Sequence, residues 1–390
     1  MNILNKPADE INEDDLKTLI ENKVFEKKTI DYKQNLKIKT DGEKKEFLAD
    51  ISSFANASGG QIIYGIKEKN GVPTEIVGIE RENPDTLVSQ INSIVQTSIR
   101  PKIPGFYVHP IRLDNDRIVI FIEIPKSWIS PHMVTFSKGQ RFTTRNSNGK
   151  YPMDVDDLRV AFTYSETIKS RIQDFRIDRI SRIIANESPI PIRKTPQIII
   201  HIIPIEAFGS NATYDVKKIY GKRGQLETPA GGGWDYRTNI DGVLTFTKNQ
   251  DDVHAISYLQ FFRNGIVEGY KELWTFGEGK TNFIASSSFE SKTTEIVIKY
   301  LKLMKSLGIK PPLLIFYSFL NVKGYDISNN DYGRWSGTPI NQDIIYLDEI
   351  LLESFDDNIL QLLKPTLDIV WNAGGYLESP NYGSNGNPKT

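Results

Sequence analysis

Apolar and polar positions alternate at helical and then strand spacing along the first half of the chain. Phe47, Leu48, Ile51, Phe54 and Ala55 fall at i, i+1, i+4, i+7 and i+8, the single stripe of an amphipathic helix. Asn56-Ala-Ser-Gly-Gly60 stops that helix, glycine supplying the left-handed backbone a tight exit needs. Residues 61–66 then read as a short buried strand. Before the stripe, residues 14–22 form a helix with an acidic first turn, and residues 26–33 form a strand. After it, Leu87, Ile91, Ile94 and Val95 mark a second amphipathic helix that Pro101 stops. Residues 106–113 and 117–125 flank the turn Asp114-Asn-Asp116 as a hairpin. The second arm is apolar on both faces (Ile118, Ile120, Ile122 and Ile124 against Val119 and Phe121), so it is expected at the centre of a sheet covered on both sides. Residues 133–136 and 141–145 continue the β pattern, and a helix runs from Asp154 to about Ile184.

Residues 188–196 hold three prolines and form the expected boundary. Beyond it come a strand at 198–203, hairpin signals at Asp241-Gly242 and Asn264-Gly265, and helices at 295–307 and 348–363. The class is α+β. A mixed sheet with flanking helices over 1–165 leads through a basic helix and connector over 166–196 to a second α+β domain over 197–378, of sensing or substrate-positioning role. A Gly/Asn/Pro/Ser-rich tail over 379–390 is expected to be disordered.

Composition removes several chemistries. The chain has 390 residues, 48 Lys+Arg against 49 Asp+Glu, and no cysteine. Disulfide scaffolds, Cys-based zinc sites, iron–sulfur clusters and thiol nucleophiles are excluded. None of the four histidines pairs with another at metal-ligand spacing, so a metal here would rest mainly on carboxylates. His201, in a strongly apolar strand, reads as a hydrogen-bonded core residue. No Gly-x-Ser-x-Gly elbow is present. Gly277-Glu-Gly-Lys-Thr281 ends like a phosphate loop, but Trp274 stands where that pattern requires glycine, so a hairpin tip is expected. The polar start of the chain and the shortness of its most apolar run, residues 198–205, point to a cytoplasmic protein without membrane contact.

The neutral total hides a basic stretch, with eight basic against three acidic residues over 101–150. Arg100, Lys102, Arg141, Arg145 and Lys150, interleaved with Tyr107, Phe142 and Tyr151, suit a phosphate backbone with unpaired bases. A solvated face over core aromatics accounts for them equally well. The cations of the helix at Lys169, Arg171, Arg176, Arg179 and Arg182 are partly matched by Asp174 and Asp178 and read as structural.

The most informative stretch is Glu26-Lys-Lys-Thr-Ile-Asp31-Tyr-Lys33. On a strand Asp31 and Lys33 share one face. A carboxylate beside a lysine suits metal-assisted phosphodiester cleavage, the acid holding the cation and the ammonium steadying water or phosphate. Glu26 reaches that site only if the strand begins with a bend. A surface strand of alternating charge is the plainer account of the same residues.

Glu26-x4-Asp31-Tyr-Lys33, followed by Phe54-Ala-Asn56-Ala-Ser-Gly59-Gly60, the strand ending Gly65-Ile66, and then Lys67-Glu68, resembles the AlbA-type domain of the Schlafen family over about residues 15–165. The resemblance implies an AlbA-like mixed sheet. In the family's nucleases three carboxylates bind a divalent metal and cleave RNA. By position Glu26, Asp31 and Glu68 match these, and Lys33 matches the family lysine. Asp31 and Glu68 stand where Glu and Asp are commoner, each changing reach by one methylene. The implied activity is a Mg²⁺- or Mn²⁺-dependent endoribonuclease acting on structured RNA such as tRNA, with DNA as the other substrate. The implied setting is a bacterial antiphage or stress response, with a homodimer supplying the second lobe. A non-catalytic nucleic-acid-binding regulator is the alternative, and an ATP-responsive one using the Gly59-Gly60 turn is a third.

Overall fold

In the computed structural model, residues 6–80, 83–209, 213–231, 234–250, 252–278, 281–328 and 337–382 are described. The chain divides into two compact units, Met1–Lys169 and Ser170–Thr390.

The first unit contains α1 (Glu13–Glu21), β1 (Ile30–Lys33), α2 (Asp41–Asn56), β2 (Gly60–Tyr64), β3 (Ile66–Lys69), β4 (Val72–Ile76), α3 (Pro84–Ser98) and β5 (Ile99–Arg100). It continues with β6 (Tyr107–Arg112), β7 (Ile118–Ile124), β8 (Met133–Val134), β9 (Arg141–Asn146), β10 (Gly149–Pro152) and the first half of α4 (Val155–Ile184). A mixed sheet runs β1-β2-β7-β6, with β1 and β2 parallel and the other pairs antiparallel. A second, antiparallel sheet runs β10-β9-β8-β5, and β3 and β4 form a hairpin.

The doubly apolar strand is central, as expected. Ile118, Ile120, Ile122 and Ile124 of β7 pack with the α2 and α3 stripes, while Val119 and Phe121 pack with Leu16 and Leu19 of α1 on the other face. Strand β1 obeys the same alternation. Ile30 and Tyr32 join the α1 side, which sends Asp31 and Lys33 toward α2.

Two backbone features aim the candidate residues. The expected strand over 26–33 is only four residues long, because residues 27–30 close a tight turn in which Lys27 and Ile30 exchange both backbone hydrogen bonds. That turn folds Glu26 back alongside Asp31 and Tyr32. The Gly59-Gly60 exit, at φ +68° and +153°, passes so close to other backbone that a Cβ at Gly59 would lie 2.3 Å from Lys126 N, and one at Gly60 2.4 Å from Thr29 O. Gly59→Ala is therefore expected to cost the first unit about 1–3 kcal/mol in urea unfolding, from strain and collision together. An unchanged midpoint would remove the steric account of this motif. Gly59 N already donates to Phe54 O, so the turn acts as a helix stop, and the amide is spent rather than open to a nucleotide phosphate.

The second unit takes up the rest of α4 and continues with β11 (Gln197–Pro204), α5 (Glu206–Gly209), α6 (Val216–Gly221), β12 (Asp235–Thr238), β13 (Gly242–Lys248), β14 (Ala255–Phe262) and β15 (Val267–Glu272). Next come β16 (Thr275–Glu278), β17 (Thr281–Ala285), α7 (Ser286–Phe289), α8 (Ser291–Ser306), β18 (Leu313–Leu320), β19 (Tyr325–Ser328), β20 (Ile344–Tyr346), β21 (Ile350–Leu352) and α9 (Ile359–Ala373). An antiparallel sheet in the order β12-β13-β14-β15-β11-β18-β20, with β21 also on β18, forms its core. The chain is α+β throughout. The proline-rich stretch lies inside this unit, where Ile190 is buried and Pro191 O accepts from Ala255 N.

Two expectations need correction. Residues 348–363 are not one helix. Residues 350–352 pair with β18, Asp357 caps a turn at Glu353 and Ser354, and α9 starts only after the Asn358 cap. Residues 379–382, expected to be disordered, are ordered: Ser379 and Tyr382 are buried, and Ser379 hydrogen-bonds the buried Glu290. The remainder of the tail, residues 383–390, and Gly279 and Lys280 of the phosphate-loop look-alike lie outside the described residues.

Candidate active site

Strand β1, helix α2 and the β9–β10 hairpin gather a cluster of opposite charges. Lys33 Nζ sits 3.4 Å from Asp31 Oδ2 and 3.6 Å from Asp50 Oδ2. Asp50, on α2 and 7% exposed, accepts from Lys150 Nζ at 2.7 Å through its other oxygen, and Lys150 also reaches Glu46 Oε1 at 2.5 Å. Lys150 is the cross-strand partner of Arg145. The Arg145 guanidinium lies 3.6 Å above the Phe54 ring, with Nη2 3.7 Å from Asp31 Oδ2. Its side chain is only 9% exposed, and Nε is buried without a hydrogen-bond partner.

Glu26 completes the corner. Its Oε1 accepts from Tyr32 N at 2.8 Å, and its carboxyl shares a hydrogen bond with Asp31. Burial raises its pKa, the Tyr32 N–H works against that, and the charges of Asp31 and Glu68 raise it further. Burial alone would push the Lys33 ammonium down, yet Asp50, then Asp31 and Glu26, hold it above its ordinary value. Burial lowers the pKa of Arg145 against the pull of Asp31, Asp50 and Glu26.

The expected residues therefore fall into three groups. Glu26, Asp31 and Lys33 are in contact. Glu68 is near enough to raise the Glu26 pKa, but it is exposed and its Oε2 accepts from Gly71 N at 2.6 Å, while Gly71 O accepts from Glu26 N. Among the expected nucleic-acid contacts, Arg145 and Lys150 point into the carboxylate cluster. Arg100 turns back on Gln96 O and Ile99 O, and Lys102 and Arg141 are exposed. Asp50 was not anticipated. Its signal was a charge on the buried side of the α2 stripe, three residues after Phe47 and four before Phe54.

Among the described residues no three Asp, Glu or His side chains come close enough together to hold one metal ion. The touching pair, Glu26 and Asp31, nevertheless suits a hard divalent cation. Mg²⁺ commonly rests on one or two carboxylates, with water and substrate phosphate filling its other positions.

Asn56 is a staple. Its Nδ2 donates to His132 O and Thr143 O, and its Oδ1 accepts from His132 N, tying α2 to the second sheet. His132 itself is buried with its Nδ1 on Pro101 O, and burial lowers its pKa to about 4. The unfolded chain binds the proton nearer pH 6.5, so between about 4 and 6.5 it holds more protons than the folded one. Stability of the first unit is expected to rise with pH across that window, and His132→Phe should flatten the rise in urea titrations.

A family model described as Schlafen, AlbA_2 matches residues 26–154. The chain carries a Schlafen AlbA_2 domain. The match runs from Glu26 and includes every residue of the charged cluster. Among solved structures, the DIP2311 protein from Corynebacterium diphtheriae is similar at 16% identity and a TM-score of 0.26, over 36% of this chain and 29% of that one. The N-terminal domain of a RecG-related protein from Nitrosomonas europaea is similar at 15% identity and a TM-score of 0.23, over 33% of this chain and 88% of that one. The chain thus spans less than a third of the first protein's length. None of the curated proteins matches it.

Proposed function

We propose that the Schlafen AlbA_2 domain binds nucleic acid and cleaves structured RNA, such as tRNA, at the Glu26–Asp31–Lys33 corner. The observation that carries this reading is the contact between the Glu26 and Asp31 carboxyls beside an ammonium. Two acids pressed together favour a shared cation, and the lysine supplies positive charge for a phosphate. Glu26 and Asp31 would hold Mg²⁺ or Mn²⁺, with Glu68 reaching it only after releasing Gly71. The bound ion would supply Lewis acidity and an activated water. Lys33, kept protonated by Asp50 and Asp31, steadies the non-bridging phosphate oxygens. Arg145, its Nε free and its plane fixed on Phe54, can fork onto the same phosphate. Lys102 and Arg141 present exposed charge to the flanking backbone.

The test is cleavage of total tRNA with Mg²⁺, with Mn²⁺ and with EDTA, comparing wild type with Asp31→Ala. Cuts that need the metal and vanish in the variant, with circular dichroism unchanged, are the expected result. Cuts that survive Asp31→Ala would discard this site. Binding without scission, indifferent to EDTA, would favour the regulator in which the carboxylates only pair with cations.

The rest of the reading is a homodimeric, cytoplasmic defence or stress effector. Light scattering returning one 44.3 kDa chain under active conditions would reject the dimer. Among the described residues no helix is long and apolar enough to cross a membrane.

A further inference from the structure

We propose that the Tyr220–Arg223–Tyr236 cluster of the second unit is a stacking platform for single-stranded nucleic acid. Among the described residues strand β12 is the edge of the large sheet, paired only with β13, and all four of its residues are exposed. Tyr236 stands on this edge, 44% exposed, against the turn that follows α6. The Arg223 guanidinium carbon lies 5.2 Å from the Tyr220 ring centroid and 5.4 Å from that of Tyr236, and the two rings meet edge to face at 5.6 Å and 77°. Trp234 Nε1 donates to Arg223 O at 3.3 Å, fastening the strand to the turn.

An exposed guanidinium held between two tyrosines presents flat, cationic surface to solvent. No carboxylate pairs with Arg223 among the described residues. Lys217, one helical turn before Tyr220, lies on the same side of α6 and adds a second exposed positive charge. Nearby acids are already committed or turned away: Asp215 caps Lys217 N, Glu227 holds Lys299, and Asp235 points to the opposite face of β12 from Tyr236.

Aromatic and guanidinium planes flanked by positive charge favour bases that can splay out of a chain, with phosphates following the cations. Bases locked inside a duplex cannot reach the rings. The occupant is therefore a single strand. This inference does not depend on catalysis in the first unit.

The experiment is fluorescence anisotropy of the full chain with a labelled oligouridylate of about 12 nucleotides, a length within the usual site range. It uses both the wild-type and the Lys33→Ala/Arg145→Ala background, with an unlabelled duplex and AMP as competitors. Tyr236→Ala and Arg223→Ala are each expected to weaken binding about 5–100-fold in both backgrounds, Tyr236→Phe to retain it, and the duplex and AMP to compete poorly. Unchanged affinity in Tyr236→Ala and Arg223→Ala, with circular dichroism intact, would overturn the platform. If the Lys33/Arg145 background alone abolished binding, the platform would fall while the first-unit reading stood. Loss in the platform variants with full binding in that background would support the platform and leave the first-unit reading to its own tRNA-cleavage test. AMP competing as strongly as the strand would make this a mononucleotide site and overturn the proposal.

Discussion

Glu268→Leu is expected to remove about 3–5 kcal/mol of stability from the second unit, the usual cost of leaving one half of a buried ion pair alone. Glu268 is completely buried on β15, and Arg179 of α4 grips it through two bonds of 2.8 Å, from Nε and Nη2. Tyr258 donates to it at 3.0 Å. His201 approaches it at 3.0 Å through Nε2, which must be the donor because a carboxylate has no proton to give. These bonds outweigh burial and hold Glu268 far below the ordinary carboxylate range, while burial keeps His201 neutral. Both effects favour the folded state at neutral pH and weaken on acidification, His201 below about 6.5 and Glu268 below about 4. Leucine at 268 strands the Arg179 guanidinium among apolar groups. The compensated double variant Glu268→Leu/Arg179→Met is expected to recover most of the loss, as buried pairs often do when both charges go. Urea unfolding of the two variants checks both statements, and a single variant as stable as wild type would show that Arg179 finds solvent.

This network explains why the basic helix is structural. Arg176 spends its guanidinium on Tyr317 O, Leu347 O and Ser318 Oγ, Arg179 on Glu268, and Arg182 on Asp178. The spacing of Asp178 and Arg182 announced only the last of these. The others depend on which strands lie beneath the helix, and that is set by long-range pairing.

The same distinction runs through the candidate site. Periodicity was enough to place the α2 stripe, the doubly covered β7, both glycine hairpins and the buried His201, because each follows from local spacing. Glu26 was legible only as a condition, a bend, which the 27–30 turn supplies. The apolar run at residues 350–352 looked helical beside its neighbours, since three residues cannot distinguish the two periods. The cross-strand pairing of Arg145 with Lys150 depends on hairpin register. From sequence both read equally well as phosphate contacts or as part of a solvated face, and in the fold both face carboxylates.

Asp50→Asn is the change expected to separate positioning from folding at that corner, with a fall in kcat/KM of roughly 10–100-fold, typical for a residue behind the site that positions a catalytic group. Asparagine keeps the shape of the side chain and can still accept from Lys150. It removes the charge that does most, once burial is set aside, to keep Lys33 protonated. Lys33 then has Asp31 as its nearest carboxylate, 3.4 Å away, and the pull toward α2 is gone. Its pKa should fall, so the high-pH limb of the cleavage profile should move to lower pH. A purely structural Asp50 would lower activity without moving that limb. Asp50→Glu, which restores the charge with one more methylene, is expected to return the limb toward its wild-type position. Cleavage of tRNA by the variants across pH 6–10, with thermal unfolding measured in parallel, decides the matter. A limb that stays fixed in Asp50→Asn would leave Asp50 as a salt-bridge partner of Lys150 alone.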